Sequence, residues 1–225
     1  MLRPALLSLA IVLLPALAAG PAHAQDEEIS TVREATAVLE ETLSIREEQI
    51  PAQILKEAHA VAIIPGVIKV GFLIGGRRGR GVLLVQRDDS TWSAPAFLTL
   101  TGGSFGLQAG ASSTDVVLVF RNRGSVQSLL DGKVTLGGTA TVAAGPTGRS
   151  AEAATDARLK AEIYAYSRSR GAFAGISLDG GSLRFSSDSN RRLYGDPSVH
   201  SILYGGQPAP SAANRLQSLL QEATP

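Results

Sequence analysis

A cluster of basic side chains is the first feature of this sequence that could bind a ligand. Lys69, Arg77, Arg78, Arg80 and Arg87 fall within nineteen residues. The planar guanidinium of arginine makes paired, charge-assisted hydrogen bonds with phosphate oxygens. We therefore predict that Lys69, Arg77, Arg78 and Arg80 bind anionic, phosphate-bearing lipid headgroups. The alternative is that these charges serve only solubility.

The segment around these residues predicts a β-hairpin. Residues 67–74 and 81–85 are apolar and β-branched, and the Gly-Gly-Arg-Arg-Gly-Arg sequence of residues 75–80 between them is typical of a turn. Pro65-Gly66 supplies a turn before the hairpin, and Trp92 with Pro95 closes the unit after it. A regular hairpin would place its three arginines together at the tip, beyond the sheet.

A second candidate anion site is the Ala-Gly-Pro-Thr-Gly-Arg-Ser sequence of residues 144–150. A phosphate loop requires a glycine five residues before Gly148 and a lysine after it, where this chain has Ala143 and Arg149. Consecutive backbone amides ahead of a helix, which we predict over residues 150–158, could still bind an anion. The candidate residues are Gly145, Thr147, Gly148 and Arg149, and the alternative is an ordinary glycine-proline turn.

One motif in the sequence gives weak support to an enzymatic function. Gly102, Ser104 and Gly106 match the nucleophile elbow G-x-S-x-G, which requires a strand, a sharp turn, a helix and a histidine supplied later in the chain. The following Leu-Gln-Ala-Gly does not begin a helix, and the histidines after residue 24 are His59 and His200. We predict a bent, glycine-rich strand and no enzyme. A serine hydrolase remains a distant alternative.

Metal and cofactor sites are poorly supported. The chain has no cysteine, and two separate histidines leave only scattered carboxylates as ligands. Asp88, Asp89 and Asp179 stand in turn sequences, where aspartate is favoured for structural reasons. We predict no metal and no cofactor.

The first 24 residues predict a secretory signal peptide. Arg3 precedes an apolar run over residues 6–19, and Ala22-His23-Ala24 provides the small residues of a cleavage site before Gln25. The run is too short to span a bilayer, which needs about 20 helical residues. No cysteine lies near the cut to accept a lipid anchor. We therefore expect a periplasmic or secreted protein, with no nucleic acid as partner.

The charge is unevenly distributed along the chain. Residues 25–60 contain three basic and nine acidic side chains, whereas residues 61–225 contain 17 basic and 11 acidic ones. Apolar residues at helical spacing predict a helix over residues 25–48, which Pro51 breaks, and a second helix over residues 52–60. The polar face of the first helix is acidic, unlike that of helices on anionic lipid, so we predict that it packs on the basic body.

The remaining chain predicts a glycine-rich β-sheet. Short β-branched and aromatic runs are bounded by glycine, aspartate or asparagine, and the 24 glycines of the chain imply bends and close approaches. We predict an α+β fold with a curved antiparallel sheet, a sandwich or partly closed barrel. The N-terminal helices would pack on it and short helices would follow. Further strands are predicted at 97–109, 115–121, 134–143, 162–169, 172–178 and 182–185, and further helices at 125–130, 188–193, 199–204 and 213–222.

This organisation predicts a single domain after the signal peptide of residues 1–24. The domain covers residues 25–205, with N-terminal helices over 25–60 and a β-rich body over 61–195. Residues 206–225 form a C-terminal tail. There is no repeat of fixed period and no second domain in the pattern.

Four colinear segments resemble the SYLF domain family. They are AIIPGVIKVGFLIGGRRGRGVLLVQ (62–86), WSAPAFLTLTGGSFGLQAGASSTDVVLVF (92–120), LGGTATVAAGPTGRSAEAATDARLKAEIYAYSRSRGAFAGISLDGGSL (136–183) and NRRLYG (190–195). The resemblance covers roughly residues 52–195, about two thirds of the chain.

The resemblance implies a lipid-binding module without catalytic activity. Yeast and animal members of the family are described as actin-binding and phosphoinositide-binding, and this chain looks like the bacterial secreted type. With an export signal, anionic phospholipid or a membrane surface is the expected partner, and actin is not. The alternative is a structural envelope protein that binds a protein partner through an exposed apolar patch.

Overall fold

Two very long antiparallel strands form the centre of the fold. The structure is a computed structural model, and it describes residues 21–44, 50–146, 161–169 and 172–224. The described elements form an α+β fold with a curled, half-barrel sheet, which confirms the predicted class. In chain order they are α1 (Pro21–Ser44), α2 (Ala52–Lys56), β1 (Ala60–Val85), β2 (Ala96–Phe120), α3 (Arg123–Leu130), β3 (Val134–Thr135), β4 (Val142–Ala144), β5 (Ile163–Ser169), β6 (Ala172–Gly175), β7 (Gly181–Phe185), α4 (Ser187–Tyr194), α5 (Val199–Tyr204), a 3₁₀ turn (Ser211–Ala213) and α6 (Asn214–Ala223).

A continuous strand replaces the predicted hairpin. β1 is extended through residues 75–80, so the turn predicted there, with Arg77, Arg78 and Arg80 at its tip, is wrong. Each residue of this segment is paired with β2, from Gly75 opposite Ser104 to Arg80 opposite Thr99. Pairing with a distant strand therefore outweighs the local turn preference of the glycines. For the same reason, the strands predicted at 97–109 and 115–121 are one strand.

The chain reverses between β1 and β2 at residues 86–95 instead. Gln86 and Trp92 bridge across it, so Trp92 does close the unit. Asp89 Oδ1 accepts hydrogen bonds from the Thr91 backbone N–H (2.9 Å) and hydroxyl (2.6 Å), and Ser90 has a φ of +63°. An aspartate side chain that accepts from the backbone two residues on is a standard way to form a turn.

Pro65-Gly66 forms a β-bulge instead of a turn. Ile64 pairs with Val116 and Val67 with Thr114, so two β1 residues face Asp115 alone. Gly66 has a φ of +55°, and its N–H donates to Asp115 Oδ1 at 2.9 Å. Glycine suits this left-handed backbone because it has no Cβ. The bulge bends the ribbon where β1 leaves the core.

The other strands extend the β1–β2 pair at two separate places. β5 pairs with residues 115–120 of β2, and β7 pairs with residues 98–102. β3 joins β7, β6 joins β5, and β4 runs parallel to β5, which makes the sheet mixed. The predicted strand over residues 134–143 is therefore two short strands with different partners, β3 and β4.

Both faces of the sheet are buried, in two separate cores. Val61, Ile63, Val82 and Leu84 face the core beneath α1, α2 and α6, whereas the alternate residues of β1 face the core beneath α3 and α5. Successive side chains of a strand point to opposite faces, so one apolar run supplies both cores. α1 contributes Val32, Ala35, Val38 and Leu39, which confirms that this helix packs on the body.

Most helices lie close to their predicted positions, and the amino ends of three of them are capped. The side chains of Asn122, Ser186 and Ser198 accept hydrogen bonds from the backbone at the starts of α3, α4 and α5. α2 is shorter than predicted, since Ala60 already belongs to β1. α6 buries Leu216, Leu219 and Leu220 in the same core as α1. The helix predicted over residues 150–158 and residues 45–48 of the first helix lie outside the described residues.

The two halves of β1 approach each other at Gly81. A Cβ placed there would lie 2.1 Å from the Ile63 carbonyl oxygen and 2.7 Å from the Ile64 Cα. We expect Gly81→Ala to lower the free energy of unfolding by about 1–3 kcal/mol, because the backbone must shift. Urea unfolding measures this loss.

Gly76→Ala is the matched control for this substitution. Gly76 lies in the same strand, and a Cβ there meets nothing within 4 Å. Its stability should stay within about 0.5 kcal/mol of the parent. Equal stability of the two variants would contradict the close approach.

Candidate functional site

The middle of the β1–β2 ribbon has no neighbouring strand among the described residues. We call this part the arch, formed by residues 67–76 of β1 and 103–114 of β2. β5 and β7 pair with β2 only on either side of it. A second irregularity between Gly71 and Leu73 adds to the bend that begins at Pro65. The arch is therefore a surface feature held at both ends by the sheet.

A groove of about 670 Å³ lies between the arch and α1. Ile68 and Val70 line it and are 54% and 50% exposed, although most β-branched residues of β1 are fully buried. The other lining residues are Thr31 and Glu34 of α1, Pro65, Gly66 and residues 76–80. An apolar pair and three arginines thus share one open groove.

The structure gives the four predicted basic residues different environments. Arg78 and Lys69 are exposed and make no ion pair or hydrogen bond within the part of the chain that the structure describes. Arg80 is ion-paired with Glu27 of α1. Arg77, Arg78 and Arg80 line the groove, whereas Lys69 is not among its lining residues.

Arg77 is only partly available to a ligand. Its side chain passes over Gly102 toward β7, and its Nη2 donates to the Asp179 carbonyl oxygen at 3.1 Å. Its Nε is buried without an acceptor in the described chain. Burial lowers the pKa of Arg77, although the charge of Asp179 opposes this shift. Arg77 therefore serves the local structure in addition to lining the groove.

Ion pairs between acidic residues of α1 and arginines of the body hold the wall of the groove in place. Glu28 is 2% exposed, and its Oε1 accepts from Arg192 Nε (3.0 Å) and Nη2 (2.6 Å). The further pairs are Glu27–Arg80, Glu40–Arg215 and Glu41–Arg168. These contacts confirm that the acidic front of the chain attracts its basic body.

The second candidate anion site is not available at the residue that the structure describes. The Gly145 N–H donates to the Ala165 carbonyl at 3.0 Å, so this amide is already used. A Cβ on Gly145 would lie 2.0 Å from Tyr166 Cζ, and the Tyr166 hydroxyl donates to Pro146 O at 3.2 Å. Gly145 is a packing position against an aromatic ring. Thr147, Gly148 and Arg149 lie outside the described residues.

The nucleophile elbow motif lies within a strand. Residues 102–106 belong to β2 and pair with residues 73–77 of β1, and the chain continues as strand on both sides. The strand-turn-helix geometry that an elbow requires is therefore absent at this motif. Among the described residues, no group of three or more histidine, cysteine, aspartate or glutamate side chains is placed to hold a metal ion. No described helix has the length and apolar character needed to cross a membrane.

The sequence did not predict the structural role of the Asn-Arg-Arg-Leu-Tyr-Gly segment, residues 190–195. Asn190 accepts from the Phe97 N–H (2.8 Å) and donates to its carbonyl (3.1 Å), as a neighbouring strand would. Arg192 binds Glu28, and the Tyr194 hydroxyl donates to Pro95 O at 2.8 Å. It also missed the exposure of Ile68 and Val70, because β-branched residues in an apolar run predict burial.

Comparison with known proteins identifies the relatives of this chain. Residues 101–223 match the family profile Ysc84, described as "Las17-binding protein actin regulator". The chain is 39% identical to protein YSC84 of Saccharomyces cerevisiae over 179 residues, 78% of this chain and 38% of the yeast protein. It is 37% identical to human SH3 domain-containing YSC84-like protein 1 over 177 residues, 78% of this chain and 52% of that protein. The chain therefore spans about two fifths to one half of these curated relatives.

The ion pair at the groove has a testable pH signature. Hydrogen bonding and the charge of Arg80 lower the pKa of Glu27 below its ordinary 4.5. The stabilisation from this pair is thus present above pH 4.5 and is lost as the pH falls through the lowered pKa. We expect Arg80→Gln to raise the pKa of Glu27, measured by NMR titration of its side-chain carboxyl.

Arg215→Gln is the control, because Arg215 pairs with Glu40 elsewhere on α1. This substitution should leave the titration of Glu27 unchanged. A Glu27 carboxyl that titrates identically in the parent and in Arg80→Gln would show that the two side chains do not pair in solution.

Proposed function

This chain belongs to the Ysc84/SYLF family, and we propose that it is a non-enzymatic module that docks on anionic lipid headgroups. The observation that supports this proposal best is the exposure of Ile68 and Val70 beside unpaired cations. Each faces water over about half of its surface, whereas the apolar residues at both ends of the same strand are buried. A surface that offers both apolar and phosphate-bearing groups could contact the two apolar side chains and the unpaired cations together.

The apolar pair favours a membrane surface over a free anion. Full burial of a valine or isoleucine side chain contributes about 1.5–3 kcal/mol relative to exposure. A soluble phosphate could neutralise Arg78, but it would leave Ile68 and Val70 in water. A bilayer provides headgroup phosphates above an apolar layer, so insertion of these two side chains adds a favourable contribution to binding.

The ion-pair pattern refines the predicted headgroup site. Lys69 and Arg78 can bind a phosphate without losing a partner among the described residues. Arg80 would first have to leave Glu27, and Arg77 is partly buried under its contact with Asp179. We therefore assign headgroup contact to Lys69 and Arg78 together with the apolar pair, and we assign Arg77 and Arg80 mainly to shaping the groove.

The proposed location is the periplasm or the cell exterior. It rests on the predicted signal peptide of residues 1–24, of which residues 1–20 lie outside the described chain. Cleavage after Ala24 would remove the first four residues of α1 and leave its buried residues in place. The comparisons give no support to the exclusion of actin, since the family profile is described as an actin regulator. That exclusion rests on the export signal alone.

A protein partner is the second candidate function. Some relatives are named LAS seventeen-binding protein 3, which describes them as protein-binding. The same groove of about 670 Å³, with its exposed Ile68 and Val70, could accept apolar side chains of a partner. Such binding would be driven by apolar contact and would depend little on salt.

Loss of the two unpaired cations should weaken vesicle binding. Each basic residue near an anionic surface contributes about 1 kcal/mol, so the Lys69→Ser, Arg78→Ser double variant should bind anionic vesicles about thirtyfold more weakly. Co-sedimentation with vesicles at low and high salt measures this change, and binding by the parent should fall as salt rises.

The Lys133→Ser, Arg191→Ser double variant is the matched control. It removes one exposed lysine and one exposed arginine, and neither residue lies on the arch or lines the groove. It should bind vesicles as the parent does. Equal weakening in both double variants would mean that only net charge matters. Absence of binding to anionic vesicles at any salt would contradict the proposal and favour the protein partner.

A further inference from the structure

A second pocket, of about 350 Å³, lies at the ends of β1, away from the groove. It is lined by His59, just before β1, by residues 86–89, just after β1, by Arg123 at the start of α3 and by Tyr204 at the end of α5. It shares no lining residue with the groove. Each of its lining residues carries a polar or charged group.

Arg87 is held in place but is not satisfied. Its Nε donates to the Leu203 carbonyl at 3.2 Å, which fixes the orientation of the guanidinium. Its Nη2 is buried and has no acceptor within the described chain. A buried donor without an acceptor is costly, and an anionic acceptor makes the strongest hydrogen bond with a guanidinium. Arg87 therefore lines the pocket and keeps one donor that lacks an acceptor within the described chain.

Arg123 can be released to a ligand at little cost. It is ion-paired with Asp88, but both side chains are mostly exposed, at 67% and 83%. An exposed pair of this kind contributes little to stability. Asp89, the other carboxylate of the pocket, already accepts two hydrogen bonds from Thr91.

His59 lies beside Arg123 in this pocket. Burial lowers the pKa of His59 below the ordinary 6.5, and the charge of Arg123 lowers it further.

We propose that this pocket binds a small, water-soluble phosphate group, held between the guanidinium groups of Arg87 and Arg123 with His59 and Tyr204 beside it. Phosphate offers more acceptor oxygens than a carboxylate, and the pocket offers donors from several directions. An adjoining pocket of about 410 Å³ shares Arg123 and Tyr204 and extends to His200. The organic part of a phosphate monoester would occupy that space.

Binding of inorganic phosphate to the protein tests this proposal, with calorimetry for affinity and NMR for the imidazole of His59. We expect saturable binding, at least about tenfold tighter than that of acetate, and a rise in the pKa of His59 because a nearby anion stabilises the imidazolium. Arg87→Gln and Arg123→Gln should each weaken binding at least about tenfold. Arg191→Gln, at an exposed arginine outside the pocket, should not.

Three results would overturn the proposal: no saturable binding, unchanged binding in both variants, or equal affinity for acetate. Arg123→Gln keeps the test valid if Arg87→Gln does not fold, because the Arg123 side chain is mostly exposed. The Lys69→Ser, Arg78→Ser variant should bind phosphate as the parent does, so this proposal and the proposed membrane function can fail separately. If the parent does not bind phosphate and Arg87→Gln no longer binds vesicles, the phosphate proposal is overturned and the pocket is a headgroup site instead.

Discussion

The antiparallel pairing of β1 with β2, from the Ala60–Phe120 pair to the Leu83–Ala96 pair, positions the other elements of this fold. β5 and β7 attach to β2 at two separated places, and the alternation of side chains along β1 divides its apolar residues between two cores. Where neither strand has another neighbour among the described residues, the ribbon becomes the arch. The exposed Ile68 and Val70 are therefore a consequence of the same pairing that buries residues 60–64 and 82–85 of β1.

Apolar burial and ion pairs together determine where α1 lies. The helix buries an apolar face in the first core, and its glutamates pair with arginines that come from β1, β5, α4 and α6. These pairs set the second wall of the groove. They also separate the basic residues into those that hold the helix, such as Arg80 and Arg192, and those that remain unpaired within the described chain, such as Lys69 and Arg78.

Local sequence patterns predicted the elements whose signals are local. The capped helices α3, α4 and α5, the turn at Asp89 and the glycine-rich texture of the sheet all followed from residue types. The prediction of a hairpin turn at residues 75–80 was wrong. A glycine run can form a turn or an extended strand, and only its pairing with β2 decides between them. The groove was predicted in part, since its arginines were identified but its apolar pair was not. The pocket at Arg87 could not be predicted, because His59, Arg123 and Tyr204 come together only through the fold.

The chain contains no cysteine, so a single cysteine can place an environment-sensitive fluorophore at one chosen position. The most direct test of the membrane account is the emission of such a label at Ile68→Cys, on the arch, compared with Ser128→Cys, at an exposed position on α3. With anionic vesicles, the account predicts a blue shift at position 68 and none at position 128, because only the arch enters the apolar layer. A label at position 68 that stays in water while the protein co-sediments with vesicles would contradict it.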